Sequence, residues 1–207
     1  MINPFVPLPE FFRHRSQLHG QSHVARVMVH ALRLIEATGW EHEAARLWAA
    51  VYLHDLERTH DGRCLRHGAD AVARWEKQLP LQAHILSGGV LERDYAAIAH
   101  AVEVHCLPDS EEPERDHPDW PLVALLKDAD GLDRVRLGDL DPAYLRLPPS
   151  HEMLEFAQQL FDQTNGVIPE GEDHFADLTV AADNILHGRP AFDADEDEPA
   201  ADEPAKE

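Results

Sequence analysis

The segment from residue 44 to residue 56, AARLWAAVYLHDL, constrains the fold of this chain more than any other. Its side chains are apolar on nearly every side of a helix, so other elements have to enclose it. His54 and Asp55 follow this core directly, and an unpaired charge in such a place is costly to bury. We therefore expect an enclosed helix over residues 41–56 with a polar site at its carboxyl end.

Apolar residues at three- and four-residue spacing predict further helices along the chain. The spacing is clearest over residues 23–37, where Ser22 is the expected cap and Gly39 the expected stop. Strand signals are weak throughout and no internal repeat is visible, so the predicted fold class is all-α. The other predicted elements are helices over 10–17, 69–78, 94–105, 121–130, 150–164 and 174–187, and a helical turn over 82–86.

The formal net charge of −21 limits the partners of the chain. Such an acidic surface repels nucleic-acid backbones and anionic membranes, so we expect neither a nucleic-acid duplex nor a membrane as partner. No run of about 18 apolar residues is present, and residues 1–15 lack the basic region of a signal peptide. Residues 191–207 are acidic and nearly free of aromatic side chains, which predicts a disordered tail after a helical domain over 1–190.

Cys64 and Cys106 are the two cysteines, and they form no C-x-x-C pair. This spacing argues against a disulfide scaffold and against a thiolate zinc site. A single disulfide between them stays open as an alternative. The cysteine usage favours a cytoplasmic location.

Four ionisable residues open or end the predicted core helices: His23, His54, Asp55 and Asp130. A divalent cation bound by two imidazoles and two carboxylates removes the cost of burying them. Nitrogen and carboxylate oxygen together suit Mn, Fe, Co, Ni or Zn better than Mg or Ca. The alternative for each residue alone is an ordinary helix-end role, because histidine and aspartate are common at helix ends.

These residues lie in three segments, HGQSHVARV, AAVYLHDLER and LLKDADGLDR, that resemble the H…HD…D pattern of the HD superfamily of metal-dependent phosphohydrolases. The resemblance covers residues 18–138. It implies an HD-domain helical bundle around the metal. It also implies His23, His54, Asp55 and Asp130 as the ligands, with Asp128 as the alternate for the last position.

Some HD subfamilies bind a second ion through two further histidines, and His67 and His105 are similar to them in position. The resemblance therefore implies one or two divalent transition-metal ions, with Asp55 shared in the second case. The alternative is that His67 begins a helix and His105 ends one without a metal.

The resemblance implies a metal-dependent phosphoric ester hydrolase, either a phosphomonoesterase or a phosphodiesterase, acting on a nucleotide or other small phosphorylated metabolite. The substrate does not follow, since the GYP signature is absent and Arg58 stands where one subfamily has glutamate. A nucleotide-sensing HD module without hydrolysis, a di-iron oxygenase on the same scaffold and a helical interaction protein remain as alternatives. Residues 150–187 form either a cover for the site or a homodimer surface.

Four further residues are candidates for catalysis in this hypothesis. Arg26 and Arg58 lie within a turn of predicted ligands and are expected to neutralise phosphoryl charge. Glu57 or Asp133 is expected to act as base or proton shuttle. The alternative is that these side chains are solvated or make surface ion pairs. Less direct candidates for contact with the substrate are Lys127, Arg134, His60, Arg63 and Arg66.

Overall fold

A computed structural model describes residues 5–109 and 116–192 of the chain. Within these ranges every regular element is a helix, which confirms the all-α prediction. The α-helices are α1 (Gln21–Thr38), α2 (Ala44–Leu53), α3 (His67–Lys77), α4 (Leu79–Ser87), α5 (Tyr95–Val104), α6 (Trp120–Leu132), α7 (Pro148–Glu152), α8 (Leu154–Thr164) and α9 (His174–Leu186). Short 3₁₀ turns lie at Pro9–Phe11, Glu41–Glu43, Glu92–Asp94, Asp133–Leu137 and Pro142–Tyr144.

Helix α1 is the central helix of the fold. Its apolar residues are buried on most sides, and it packs against α2, α6, α8 and α9. It ends at Gly39, which adopts the left-handed conformation (φ 70°) and donates its amide to the carbonyl of Ile35 at 3.0 Å. A glycine is favoured there because it adopts positive φ without steric cost.

Helix α2 carries the strongly apolar segment of residues 44–53 and lies between α1, α5 and α6. Residues 49–53 are fully buried, as the composition of the segment predicts. Because α1, α3 and α6 also pack around α2 and α5, ends of several helices meet at one place. His23 lies in the first turn of α1, His67 begins α3, and His54 and His105 directly follow α2 and α5.

Helices α3 and α5 approach each other closely at Gly68. A Cβ atom at this position would lie 2.1 Å from the carbonyl oxygen of Val102, much closer than real Cβ atoms come to any atom. Glycine therefore allows the contact that brings the start of α3 to the end of α5.

Several predicted boundaries differ from the structure. Residues 10–17 form no helix beyond the turn Pro9–Phe11, because Arg13 instead donates its amide to Leu56 at 2.9 Å. The predicted turn over 82–86 is part of the longer helix α4, whose Leu81 and Ile85 are buried. The cap of α1 is Gly20 rather than Ser22, and α6 begins one residue before Pro121.

The boundary of the predicted tail at 191 also differs. Ala191 is buried; its amide donates to Gln163 at 2.9 Å and its carbonyl accepts from Asn184 at 3.1 Å. The rest of the predicted tail, 193–207, lies outside the described residues, as do residues 1–4 and part of the loop after α5, 110–115. Among the helices of the described ranges, none combines the length and apolar character needed to cross a bilayer.

Candidate metal centre

Three of the candidate histidines are oriented by main-chain carbonyl groups of the preceding turn. A carbonyl oxygen only accepts hydrogen bonds, so the Nδ1 atom that faces it carries the hydrogen. The Nε2 atom of each ring is then left with a free lone pair, which is the usual arrangement of a metal-binding histidine. The Nδ1-to-oxygen distances are 2.7 Å for His54 to Val51, 3.0 Å for His67 to Cys64 and 2.6 Å for His105 to Val102.

The Nε2 atoms of the four histidines meet in two pairs. His23 and His54 are separated by 3.3 Å between their Nε2 atoms, and His67 and His105 by 2.9 Å. Two lone pairs at such distances repel each other unless a positive charge lies between them. For metal–nitrogen bonds of about 2.0–2.1 Å, two nitrogens on one ion lie about 3.0 Å apart at a right angle and about 3.4 Å apart at the tetrahedral angle. Both pairs therefore fit the ligands of a bound cation.

A proton is the alternative source of that positive charge. Burial opposes the charged form of His23, but hydrogen bonds with Asp130, Asp133 and Asp55 raise its pKa to about 9. In the second pair, burial lowers the pKa of His105 to about 3, so the proton belongs to His67. A metal at either pair therefore displaces a proton on binding.

The Asp55 carboxylate lies between the two histidine pairs. Its Oδ2 atom is 3.4 Å from Nε2 of His23, and its Oδ1 atom is 3.0 Å from Nε2 of His67. Burial alone raises the pKa of a carboxyl group, but the surrounding histidines hold that of Asp55 well below its usual range. Asp55 is therefore ionised and offers one oxygen to each pair.

Asp130 completes the first pair and is the most exposed of the six candidate ligands. Its Oδ1 atom is 3.3 Å from Nε2 of His23, and its side chain is 30% exposed. The alternate ligand Asp128 is fully buried on another side of α6. Its carboxylate accepts bonds from the amides of Arg146 and Leu147 and from the hydroxyl of Ser150. Asp128 therefore holds the start of α7 and is not part of the centre.

Arg26 and Asp133, two of the predicted catalytic residues, lie on the side of His23 away from the other ligands. Asp133 is fully buried and accepts a bond from Nδ1 of His23 at 2.7 Å. Arg26 donates to the same carboxylate through Nε at 2.6 Å and lies over the ring of Phe161. Both side chains are thus buried behind His23, where they orient its ring. Asp133 takes the part of the carboxylate that commonly supports a metal-binding histidine.

Glu57 also differs from its predicted role as a base. Its carboxylate pairs with Arg13 at 3.2 Å and Arg74 at 3.0 Å, and neither arginine belongs to the centre. Arg58, in contrast, donates from Nε to Oδ1 of Asp55 at 2.8 Å and from Nη1 to the carbonyl of Gly62 at 3.2 Å. Of the two, only Arg58 contacts the centre.

The less direct candidates mostly bond to residues outside the centre. Lys127 donates to Asp109 at 2.6 Å, Arg134 pairs with Asp139, and Arg66 approaches Asp70 within 3.6 Å. His60 accepts a bond from the amide of Gly62 in its own loop. Their predicted contact with the substrate therefore stays a prediction.

Two residues of the site were not assigned to it by sequence. His19 is buried, and its Nδ1 atom is 3.0 Å from Oδ2 of Asp55. Its spacing of four residues from His23 is a signal that could have revealed it. Arg136 brings its Nη2 atom to 3.2 Å from Nδ1 of His19 and donates from Nη1 to the main-chain carbonyl of Asp133 at 2.9 Å. Nothing in the sequence around Arg136 indicates this position.

Buried histidine, aspartate and cysteine side chains of the described residues could thus hold a metal ion. In each of three groups, one ligand atom per residue lies within 4.8 Å of the others. The groups are His23–His54–Asp130, His19–His23–Asp55 and His67–His105–Cys106.

Neither a family model, nor a curated protein, nor a solved structure matches this chain.

Proposed function

We propose that this protein is an HD-type metal-dependent phosphohydrolase, a phosphomonoesterase or phosphodiesterase that acts on a nucleotide or other small phosphorylated metabolite. The observation that carries the proposal is the Asp55 carboxylate between two pairs of histidines whose Nε2 atoms face each other. Such a donor set suits one or two ions of Mn, Fe, Co, Ni or Zn. When bound, these ions supply an activated water and neutralise charge on a phosphoryl group.

Two sets of residues form the centre: the ligands that would hold the ions, and the residues that orient these ligands. His23, His54, Asp55 and Asp130 form the first position, and His67 and His105 share Asp55 at the second. Asp133 keeps the hydrogen of His23 on Nδ1, so that Nε2 faces the ion. Arg58 restrains Asp55 and brings a guanidinium to the centre of a strongly acidic protein, where an anionic substrate needs a local cation.

Elemental analysis of purified protein tests the proposal, with phosphate release from a panel of phosphomonoesters and phosphodiesters as the second readout. We expect up to two transition-metal ions per chain in the wild type. Asp55→Ala should lose both ions because it removes the shared carboxylate, whereas His54→Ala should lose the first. Both variants should lose phosphate release. His42→Ala is the matched control, since His42 is exposed and, within the described part of the chain, its ion pair is with Glu43.

The outcomes also separate the alternatives. Bound metal with nucleotide binding but no phosphate release would indicate a sensing module. Two iron ions with substrate-dependent oxygen uptake would indicate an oxygenase. A wild-type protein that neither contains nor takes up a transition metal would refute the metal centre and leave a helical interaction protein.

A further inference from the structure

Cys106 follows His105 directly at the end of α5, and the fold brings it to the second histidine pair. Its Sγ atom and one ring nitrogen from each of His67 and His105 lie within 4.8 Å of one another. The sequence spacing of Cys64 and Cys106 argued against a thiolate ligand because such ligands usually come as C-x-x-C pairs. A single cysteine next to two preorganised histidines needs no such pair.

The hydrogen bonds of the Cys106 thiol are weak ones to the main chain. It bonds to the carbonyl of Glu103, with 3.8 Å between sulfur and oxygen, and to the main chain of Gly68. Bonds of about 2.3 Å to sulfur and 2.0 Å to nitrogen place the two atoms about 3.5 Å apart around a tetrahedral ion. Rotation about the Cα–Cβ bond of Cys106 can bring the sulfur atom from its position within 4.8 Å of the ring nitrogens to the separation of about 3.5 Å that a shared ion requires.

We propose that Cys106 is a thiolate ligand of the second ion, together with His67, His105 and the shared Asp55. The inference rests on the metal centre of the proposed function. A soft sulfur ligand selects Zn²⁺ over Mn²⁺ and Mg²⁺, and the thiol proton is released to solvent when the ion binds. Four protein ligands close a tetrahedral zinc site, so this ion would anchor Asp55. Water activation would then fall to the first ion, whose four protein ligands leave open positions only around a metal of higher coordination number, such as Mn²⁺ or Fe²⁺.

Cobalt substitution tests this ligand by spectroscopy, without reference to activity. The purified full-length chain is loaded with Co²⁺, and its near-ultraviolet spectrum is recorded for the thiolate-to-cobalt charge-transfer band. We expect the band in the wild type, its loss in Cys106→Ser and its retention in Cys64→Ser. Cys64→Ser is the control at the other cysteine: serine keeps the main-chain carbonyl that accepts from Nδ1 of His67, and its hydroxyl can take over the hydrogen bond that the Cys64 thiol makes with His67.

X-ray absorption of the zinc-loaded wild type keeps the test independent of whether Cys106→Ser folds. A sulfur neighbour at about 2.3 Å from zinc is the expected result. Cobalt and zinc that bind with only nitrogen and oxygen neighbours would refute the role of Cys106 and leave the centre intact. A band that is lost in Cys64→Ser and kept in Cys106→Ser would also refute it. Failure to bind either metal would overturn both this inference and the proposed function.

Discussion

Replacing His30 with phenylalanine should remove one measurable part of the acid sensitivity of the folded protein. His30 is fully buried in α1, with its ring edge-on to that of Phe156 at 5.9 Å between centroids. Neither of its ring nitrogens has a hydrogen-bond partner among the described residues. Burial lowers the pKa of His30 from 6.5 to about 4, so the ring is neutral in the folded protein at pH 7.

The sign of the effect follows from proton linkage. The unfolded chain binds a proton at His30 below pH 6.5, whereas the folded protein does so only near pH 4. The contribution of neutral His30 to the free energy of unfolding is therefore fully present above pH 6.5 and is lost as the pH falls toward 4. With these two pKa values the loss at pH 5 is about 2 kcal/mol, which lowers the Tm of a domain of this size by about 4–8 °C.

Thermal unfolding at pH 7 and pH 5, in buffer with a chelator so that metal release does not contribute, measures this effect. We expect the stability lost by His30→Phe between the two pH values to be about 2 kcal/mol smaller than the wild-type loss. At pH 7 the variant should be at least as stable as the wild type, because it removes two unpaired buried nitrogens. His42→Phe is the control at an exposed histidine. Equal losses in His30→Phe and the wild type would refute the argument.

Two further substitutions test how the centre is supported. Asp133→Asn should weaken metal binding at His23 by about 10- to 100-fold, since an amide holds the ring orientation less well than a carboxylate. Competition with a chelating dye measures the metal affinity. An unchanged affinity would refute the orienting role of Asp133. Gly68→Ala should reduce the metal count from two to one and destabilise the fold, because its Cβ would overlap the carbonyl of Val102; a variant that keeps two ions and its Tm would contradict the required close approach.

The all-α fold class and the burial of the 41–56 segment can be predicted from the spacing of apolar residues alone, because this spacing decides which helix faces are buried. The start of α4 was harder to predict. Pro80 indicates the end of the preceding helix, yet it also lies in the first turn of α4, where proline is tolerated. The same residue therefore ends one helix and begins the next.

Within the site, residues at the ends of core helices can be predicted from the sequence, but the contacts between their side chains cannot. Arg26 lies one turn after His23, and only the fold shows that this turn faces Asp133. Arg136 reaches the centre through a contact between distant segments, which spacing along the chain does not encode, whereas His19 and Cys106 lie four residues and one residue from predicted ligands. Polar residues in a loop or behind a ligand look alike in a sequence, although their access to a substrate differs completely.

The main-chain anchoring of His54, His67 and His105 has a consequence for how this centre can evolve. A carbonyl oxygen is present whatever side chain a residue carries, so substitutions at the three anchoring positions leave these rings oriented. His23 is the exception, because its anchor is the Asp133 side chain. A single substitution at Asp133 can therefore change how His23 presents its ring to the first ion. The rings at the second ion keep their orientation whatever side chains their anchoring residues carry. Diversification of metal preference among descendants of this chain should accordingly begin at Asp133.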